Sequence, residues 1–141
     1  MIEQNVLQHF AGKNVVVTGG TGMIGRQIVN ILCDAGAHVA SVSLDKINVD
    51  DRAKHIYGDL TDFSFCKEIT HNMDFVFHVA GIKGSIEVTK SKPASFFVPL
   101  LQFNTNMLEA SRINNVAKLV YTSSIGAYAS AEIFKESENR E

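Results

Sequence analysis

The chain has 141 residues, 45% of them apolar and 20% charged, with a formal net charge of −2. That is enough for one domain with one ordinary core, and the balance excludes a disordered chain. Mixed charges advertise no nucleic-acid or anionic-membrane surface, the first residues lack a basic-then-apolar leader, and no apolar run approaches a membrane span, so a cytoplasmic protein without either partner is expected.

The apolar pattern alternates in a regular way. Val15-Val16-Val17 is a β-branched run ending in a glycine cluster, the pattern of a buried parallel strand. Met23 to Ala35 follows as a helix, with Ile24, Ile28, Ile31, Leu32 and Ala35 at helical spacing and Gly36 as its stop. Val39 to Leu44 is a second strand ending at Asp45, and Lys54 to Tyr57 a third ending at Gly58-Asp59. Thr61 to His71 reads as a helix capped by Thr61, and Asp74 to Val79 as a fourth strand. Ser95 to Asn114 reads as a longer helix with Leu101, Met107, Leu108 and Ala110 inward, kinked or delayed by Pro99. Ala117 to Thr122 is the fifth strand, and the tail after Ser130 reads as a solvated charged segment. Cys33 and Cys66 stand singly in apolar helical stretches, as buried structural thiols do, and no pair has metal-ligand spacing. Strands alternating with helices imply an α/β fold, a doubly wound parallel sheet of about five strands with helices on both faces.

The segment Thr18-Gly19-Gly20-Thr21-Gly22-Met23-Ile24-Gly25 lies between the first strand and first helix. Gly19 permits a tight turn, Gly22 lets the backbone approach a pyrophosphate, and Gly25 lets helix and strand pack closely. Free N–H groups and the dipole at the helix start favour an anionic diphosphate there. In this strand–turn–helix setting the pattern is the dinucleotide fingerprint of a Rossmann-type domain, with Gly19, Thr21, Gly22, Met23, Ile24 and Gly25 as cofactor-binding positions. Asp45, about twenty residues past Gly25, sits where an adenosine ribose would lie. Its carboxylate can accept from both ribose hydroxyls and would repel a 2′-phosphate, which favours NAD over NADP; otherwise it is an ordinary strand-end aspartate. Asp59 either accepts from the adenine amino group, with Leu60 covering the ring, or caps the helix at Thr61.

With these features the chain resembles an extended short-chain dehydrogenase/reductase, and within that superfamily the NAD-dependent nucleotide-sugar epimerase/dehydratase family, from about Gly12 to about Glu138. Val76-Phe77-His78-Val79-Ala80-Gly81-Ile82-Lys83 looks like the strand-end segment of UDP-galactose 4-epimerases. By that resemblance Val79, Ala80, Gly81 and Lys83 contact the cofactor on its ribose and nicotinamide side; Lys83 is otherwise a solvated lysine, and His78 is a packed strand residue. Leu119 to Tyr128 is similar to the family's fifth-strand end, where a serine or threonine lies four residues before a tyrosine. The resemblance makes Ser124 the hydroxyl that hydrogen-bonds the sugar's reacting oxygen and assists proton transfer, makes Thr122 a cofactor contact, and makes Tyr128 a structural aromatic. The alternative for Ser123 and Ser124 is a plain strand-end turn.

Departures from the family pattern leave the subfamily open. GDP-fucose synthases and GDP-mannose 3,5-epimerases carry a cysteine acid/base where this chain has Gly126, although Asn106 to Asn114 is similar to the matching helix of those enzymes, and Ala129 replaces the usual glycine after the tyrosine. The family's catalytic Tyr-x-x-x-Lys is not among these residues: Tyr57, Tyr121 and Tyr128 each lack a lysine four positions later. Residues 1–141 are therefore expected to form an incomplete NAD(P)-binding domain without the C-terminal strands and the sugar-binding part. The resemblance implies hydride transfer at a sugar carbon, with a nucleotide sugar as substrate of the full-length protein and this portion inactive alone. Two rivals are a non-catalytic NAD(P)-binding sensor or regulatory protein, and a partial chain whose open sheet edge pairs with a second copy as a homodimer.

Overall fold

The computed structural model describes residues 3–82 and 86–124. Five strands form the sheet: β1 (Asn14–Thr18), β2 (His38–Ser43), β3 (Lys54–Tyr57), β4 (Phe75–His78) and β5 (Lys118–Tyr121). The helices are α1 (Gln4–Gln8), α2 (Met23–Asp34), α3 (Phe63–Thr70), α4 (Ile86–Ser91) and α5 (Pro93–Ile113). All neighbouring strands pair in parallel, in the order β3-β2-β1-β4-β5. The order reverses at β1, which makes the C-terminal ends of β1 and β4 the topological switch point, where ligands bind in such sheets.

The strand pleat sorts the side chains into two cores. Val15 and Val17 of β1 point to one face and pack with Val29, Leu32 and Cys33 of α2. Val16 points to the other, with Val42, Val76, Cys66 and Ile69 of α3, and Phe103, Met107 and Ala110 of α5. Burial on both faces is why β1 is a continuous β-branched run without polar alternation. Neither cysteine is in a disulfide, and both are buried. The Cys66 thiol donates to the Leu60 carbonyl at 3.2 Å. Burial, reinforced by the charges of Asp62 and Asp59, pushes its pKa up to about 12, so this sulfur is an inert core atom.

Four local expectations need correction. The cap of α3 is Asp62, whose Oδ1 accepts from Ser64 N at 2.8 Å and Phe65 N at 3.4 Å, and not Thr61. A carboxylate at this position satisfies two orphan donors at once and complements the helix dipole. α5 begins at Pro93, where a missing N–H costs nothing, and runs through Pro99 without delay. Its buried stripe is Phe103, Met107, Ala110 and Ser111, spaced i, i+4, i+7, i+8. Leu101 and Leu108 fall outside that stripe and are 46% and 51% exposed. Ile24, expected inward on α2, is also exposed and faces a cleft instead. Gly36 stops α2 as expected: it has φ +78°, and the Ala37 N–H reaches back to the Leu32 carbonyl at 3.0 Å. Among the described residues, no helix is long and apolar enough to cross a membrane.

Candidate functional site

A cleft of about 650 Å³ opens at the C-terminal ends of β1, β2 and β4, within the range of small-molecule and cofactor sites. Its floor is the glycine turn. Gly19 has φ +69°, and a Cβ there would lie 2.8 Å from Ala80 Cα and 2.9 Å from Ala80 N, so no other residue fits where the turn passes the end of β4. A Cβ on Gly25 would meet Gly19 O, Gly19 C and Gly20 Cα, all backbone. Gly25 therefore seats the first turn of α2 on the glycine turn itself rather than on a strand, as its spacing had implied. Gly22 differs from both. It has ordinary φ −71°, and a Cβ there would approach Gly19 O alone, at 3.1 Å. No side chain among the described residues caps α2, whose first-turn N–H groups begin beside Gly22 on the cleft wall. Uncapped amides, a positive dipole end and a backbone without a side chain at Gly22 form a cradle suited to a diphosphate.

Asp45 stands across the cleft from this turn. Its Oδ2 accepts from the Thr21 hydroxyl at 3.1 Å, and its carbonyl accepts from the Ser43 hydroxyl at 2.8 Å. The third wall is Gly58-Asp59-Leu60-Thr61. Asp59 Oδ1 accepts from Thr61 N at 2.9 Å in a turn ahead of α3, whose cap is Asp62, and Asp59 stays on the cleft wall. Asn106 of α5 clamps this wall through its amide, which donates to the carbonyls of Leu60 at 3.0 Å and Thr61 at 2.9 Å.

At the other end the cleft is bounded by Val79, Ala80, Gly81 and Ile82, and behind them lies a polar chain whose Thr18 and His78 are buried and whose Tyr121 end is exposed. Thr18 pairs with His78 across β1 and β4, and His78 with Tyr121 across β4 and β5, which puts the three side chains in one row. Asn104 Nδ2 donates to the Tyr121 hydroxyl at 3.4 Å, so its Oδ1 accepts from His78 Nε2–H at 2.8 Å. His78 Nδ1 then accepts from the Thr18 hydroxyl at 2.7 Å, and Thr18 Oγ1 accepts from Ala80 N–H at 3.4 Å. The ring is fully buried between Phe103 and Tyr121. Burial lowers its pKa, against the opposing hydrogen bond to Asn104, so the imidazole is held neutral. With both nitrogens engaged, His78 is a packed strand residue, as its sequence context implied.

The cleft thus brings together Gly19, Thr21, Gly22, Met23, Ile24, Gly25, Asp45, Asp59, Leu60, Val79, Ala80 and Gly81. It does not bring in Thr122 or Ser124, which lie exposed just past β5, with Thr122 N–H continuing the ladder to His78 O at 3.3 Å. Lys83 lies outside the described residues, as do Gly126, Tyr128 and Ala129. Sequence reasoning missed Ser43, Thr61, Ile82, Pro99 and Phe103 on the walls. Ser43, Thr61 and Ile82 flank motif residues and were within reach of inspection. Pro99 and Phe103 arrive from a helix far along the chain and carry no local signal.

Comparison with known proteins agrees with this geometry. The chain is 31% identical over 115 residues to a 3 beta-hydroxysteroid dehydrogenase/Delta 5→4-isomerase of Mycobacterium tuberculosis, covering 78% of this chain and 31% of that protein. It is 30% identical over 132 residues to a UDP-glucose 4-epimerase of Yersinia enterocolitica, covering 84% of this chain and 39% of that one. Its fold matches a solved epimerase structure from Methanothermobacter thermautotrophicus with a TM-score of 0.84 and 25% identity, covering 95% of this chain and 43% of that one. The chain spans about a third to two fifths of the length of the two curated relatives. Those two are named for a steroid and a sugar nucleotide, so the segment they share with this chain goes with what they have in common rather than with either substrate. The model of the NAD dependent epimerase/dehydratase family matches residues 15–141, and the chain belongs to that family.

Proposed function

We propose that this chain is the NAD-binding portion of a nucleotide-sugar epimerase/dehydratase-type oxidoreductase. One observation carries the reading: the bare backbone of Gly22 and the uncapped start of α2 share a single cleft with Asp45. The turn amides hold the diphosphate, the Asp45 carboxylate accepts from the adenosine ribose hydroxyls, and Asp59 with Leu60 receives the adenine. The backbone from Val79 to Gly81, with Thr122 and Lys83 beyond it, serves the nicotinamide half, and Ser124 offers its hydroxyl to the reacting oxygen of the sugar. When bound, the nicotinamide supplies hydride transfer to and from a sugar carbon. The residues of this chain position the cofactor, and Ser124, a neutral hydroxyl, assists a proton transfer without acting as its base.

Calorimetric titration tests the cofactor assignment. NAD is expected to bind more tightly than NADP by about 1–3 kcal/mol, because a 2′-phosphate meets the Asp45 charge and loses the ribose hydrogen bonds. Equal affinity would remove Asp45 from the site. A second titration concerns chemistry. Incubated with NAD and UDP-glucose, UDP-galactose or GDP-mannose, the 141-residue chain is expected to show no turnover by nicotinamide absorbance or sugar analysis. A missing positioned base costs about 10²–10⁴-fold in rate, and missing substrate positioning removes up to about 7–11 kcal/mol of barrier lowering. Clear turnover would mean that the base lies within these residues, with His78 and Tyr128 the first to substitute.

A further inference from the structure

Asp45 is an exposed side chain at a strand end, yet two bonds hold it. The Ser43 hydroxyl fixes its carbonyl, and the Thr21 hydroxyl fixes its carboxylate at 3.1 Å, joining the glycine turn to the end of β2 across 24 positions. Thr21 is itself immobilised. It is 8% exposed, and its own carbonyl accepts from Arg26 Nη2 at 2.9 Å. A carboxylate offers about four lone-pair positions, and Thr21 takes one, leaving the others for ribose hydroxyls. Without that bond a solvent-facing aspartate spreads over several rotamers. It would then present its oxygens to the ribose for part of the time, and could rotate away from an incoming phosphate.

We propose that Thr21 is a specificity-determining positioning residue: its hydroxyl orients the Asp45 carboxylate, and that orientation sets the preference for NAD over NADP. The proposal rests on the reading of Asp45 as the ribose acceptor. Two effects act in the same direction. A fixed carboxylate is preorganised for the 2′- and 3′-hydroxyls, which favours NAD. It also cannot swing clear of a 2′-phosphate, so like-charge repulsion against NADP stays in force. Arg26 is unaffected by the side chain of residue 21, because it bonds to the backbone carbonyl.

The test is calorimetric titration of NAD and NADP against the parent chain, Thr21→Val, Thr21→Ser, Asp45→Asn and the Thr21→Val/Asp45→Asn double variant, with far-UV circular dichroism following the fold. Thr21→Val is isosteric and lacks the hydroxyl; Thr21→Ala provides a second hydroxyl-free variant should the valine fold poorly. The NAD-to-NADP affinity ratio is expected to fall about 3- to 10-fold in Thr21→Val, the value of one partly exposed hydrogen bond to a charged group, and to stay near the parent value in Thr21→Ser. In the Asp45→Asn background Thr21→Val is expected to add nothing, since it acts through that carboxylate. An unchanged ratio in both hydroxyl-free variants, with Asp45→Asn lowering it, overturns the role of Thr21 alone. A full Thr21→Val effect that persists in the Asp45→Asn background also overturns it, because Thr21 would then act by another route. If Asp45→Asn leaves the ratio unchanged, the ribose reading fails and the Thr21 proposal falls with it.

Discussion

The two ends of the cleft are built by different means. At the β1–α2–β2 end, backbone does the shaping. Gly19, Gly22 and Gly25 set turn, opening and helix seat within seven residues, and Asp45 follows at the end of the next strand. At the β4–β5 end the shape comes from side chains far apart in sequence. Thr18, His78, Asn104 and Tyr121 meet in one hydrogen-bonded chain that reaches the Ala80 N–H. A backbone-built subsite tolerates no added atoms where chain meets chain, whereas a relay of polar side chains tolerates none left unpaired. The first end is therefore sensitive to glycine replacement, and the second to loss of any one partner.

The largest effect expected from this contrast is at Gly25. A single Cβ there runs into the backbone of Gly19 and Gly20, which has nowhere to move. Gly25→Ala should destabilise the chain by about 3 kcal/mol or more, and binding should be lost with the fold; urea denaturation reads both. Gly22→Val should separate the two properties. Its Cβ presses on one backbone oxygen at 3.1 Å, so the turn must give slightly and the melting transition should fall, but by less than in Gly25→Ala, while calorimetry should detect no NAD, because the side chain occupies the diphosphate cradle. Retained affinity in Gly22→Val would make the turn structural at that position.

At the other end, His78→Phe keeps the ring but takes the acceptor from the buried Thr18 hydroxyl and the donor from the half-buried Asn104 carbonyl oxygen. About 1–3 kcal/mol of stability should be lost, measured by urea denaturation. The smallest effect is on pH dependence. The folded pKa of His78 lies below its unfolded value of about 6.5, so below that pH the unfolded chain binds more protons and stability falls with acid. Between pH 7.5 and pH 5 the urea midpoint should decline in the parent chain, and this part of the decline should vanish in His78→Phe. The groups packed on the ring, Thr18, Asn104, Phe103 and Tyr121, carry no charge in that range, so the slope should be assignable to His78 itself.

The sequence by itself determined what short-range chemistry controls. Short apolar segments alternating with helical ones marked all five strands to within a residue or so at each end, and the Thr18–Gly25 spacing located the turn, where Gly19 and Gly25 admit no side chain. It also marked Asp45, Asp59 and Leu60, since each directly follows a strand that ends on the cleft. What it left open depends on long-range packing. The rotation of α5 about its axis was half misread: Met107 and Ala110 face inward as expected, but the sheet face buries Phe103 as well and leaves Leu101 and Leu108 outside. The cap of α3 was expected at Thr61 and is Asp62, one position on, where the carboxylate accepts from Ser64 N and Phe65 N. The tie between Thr21 and Asp45 and the His78 chain likewise come from tertiary packing: parallel pairing places positions 18, 78 and 121 side by side, α5 brings in Asn104, the turn after β1 meets the loop after β2 at Thr21 and Asp45, and no local rule in a linear chain specifies which distant residues will become neighbours.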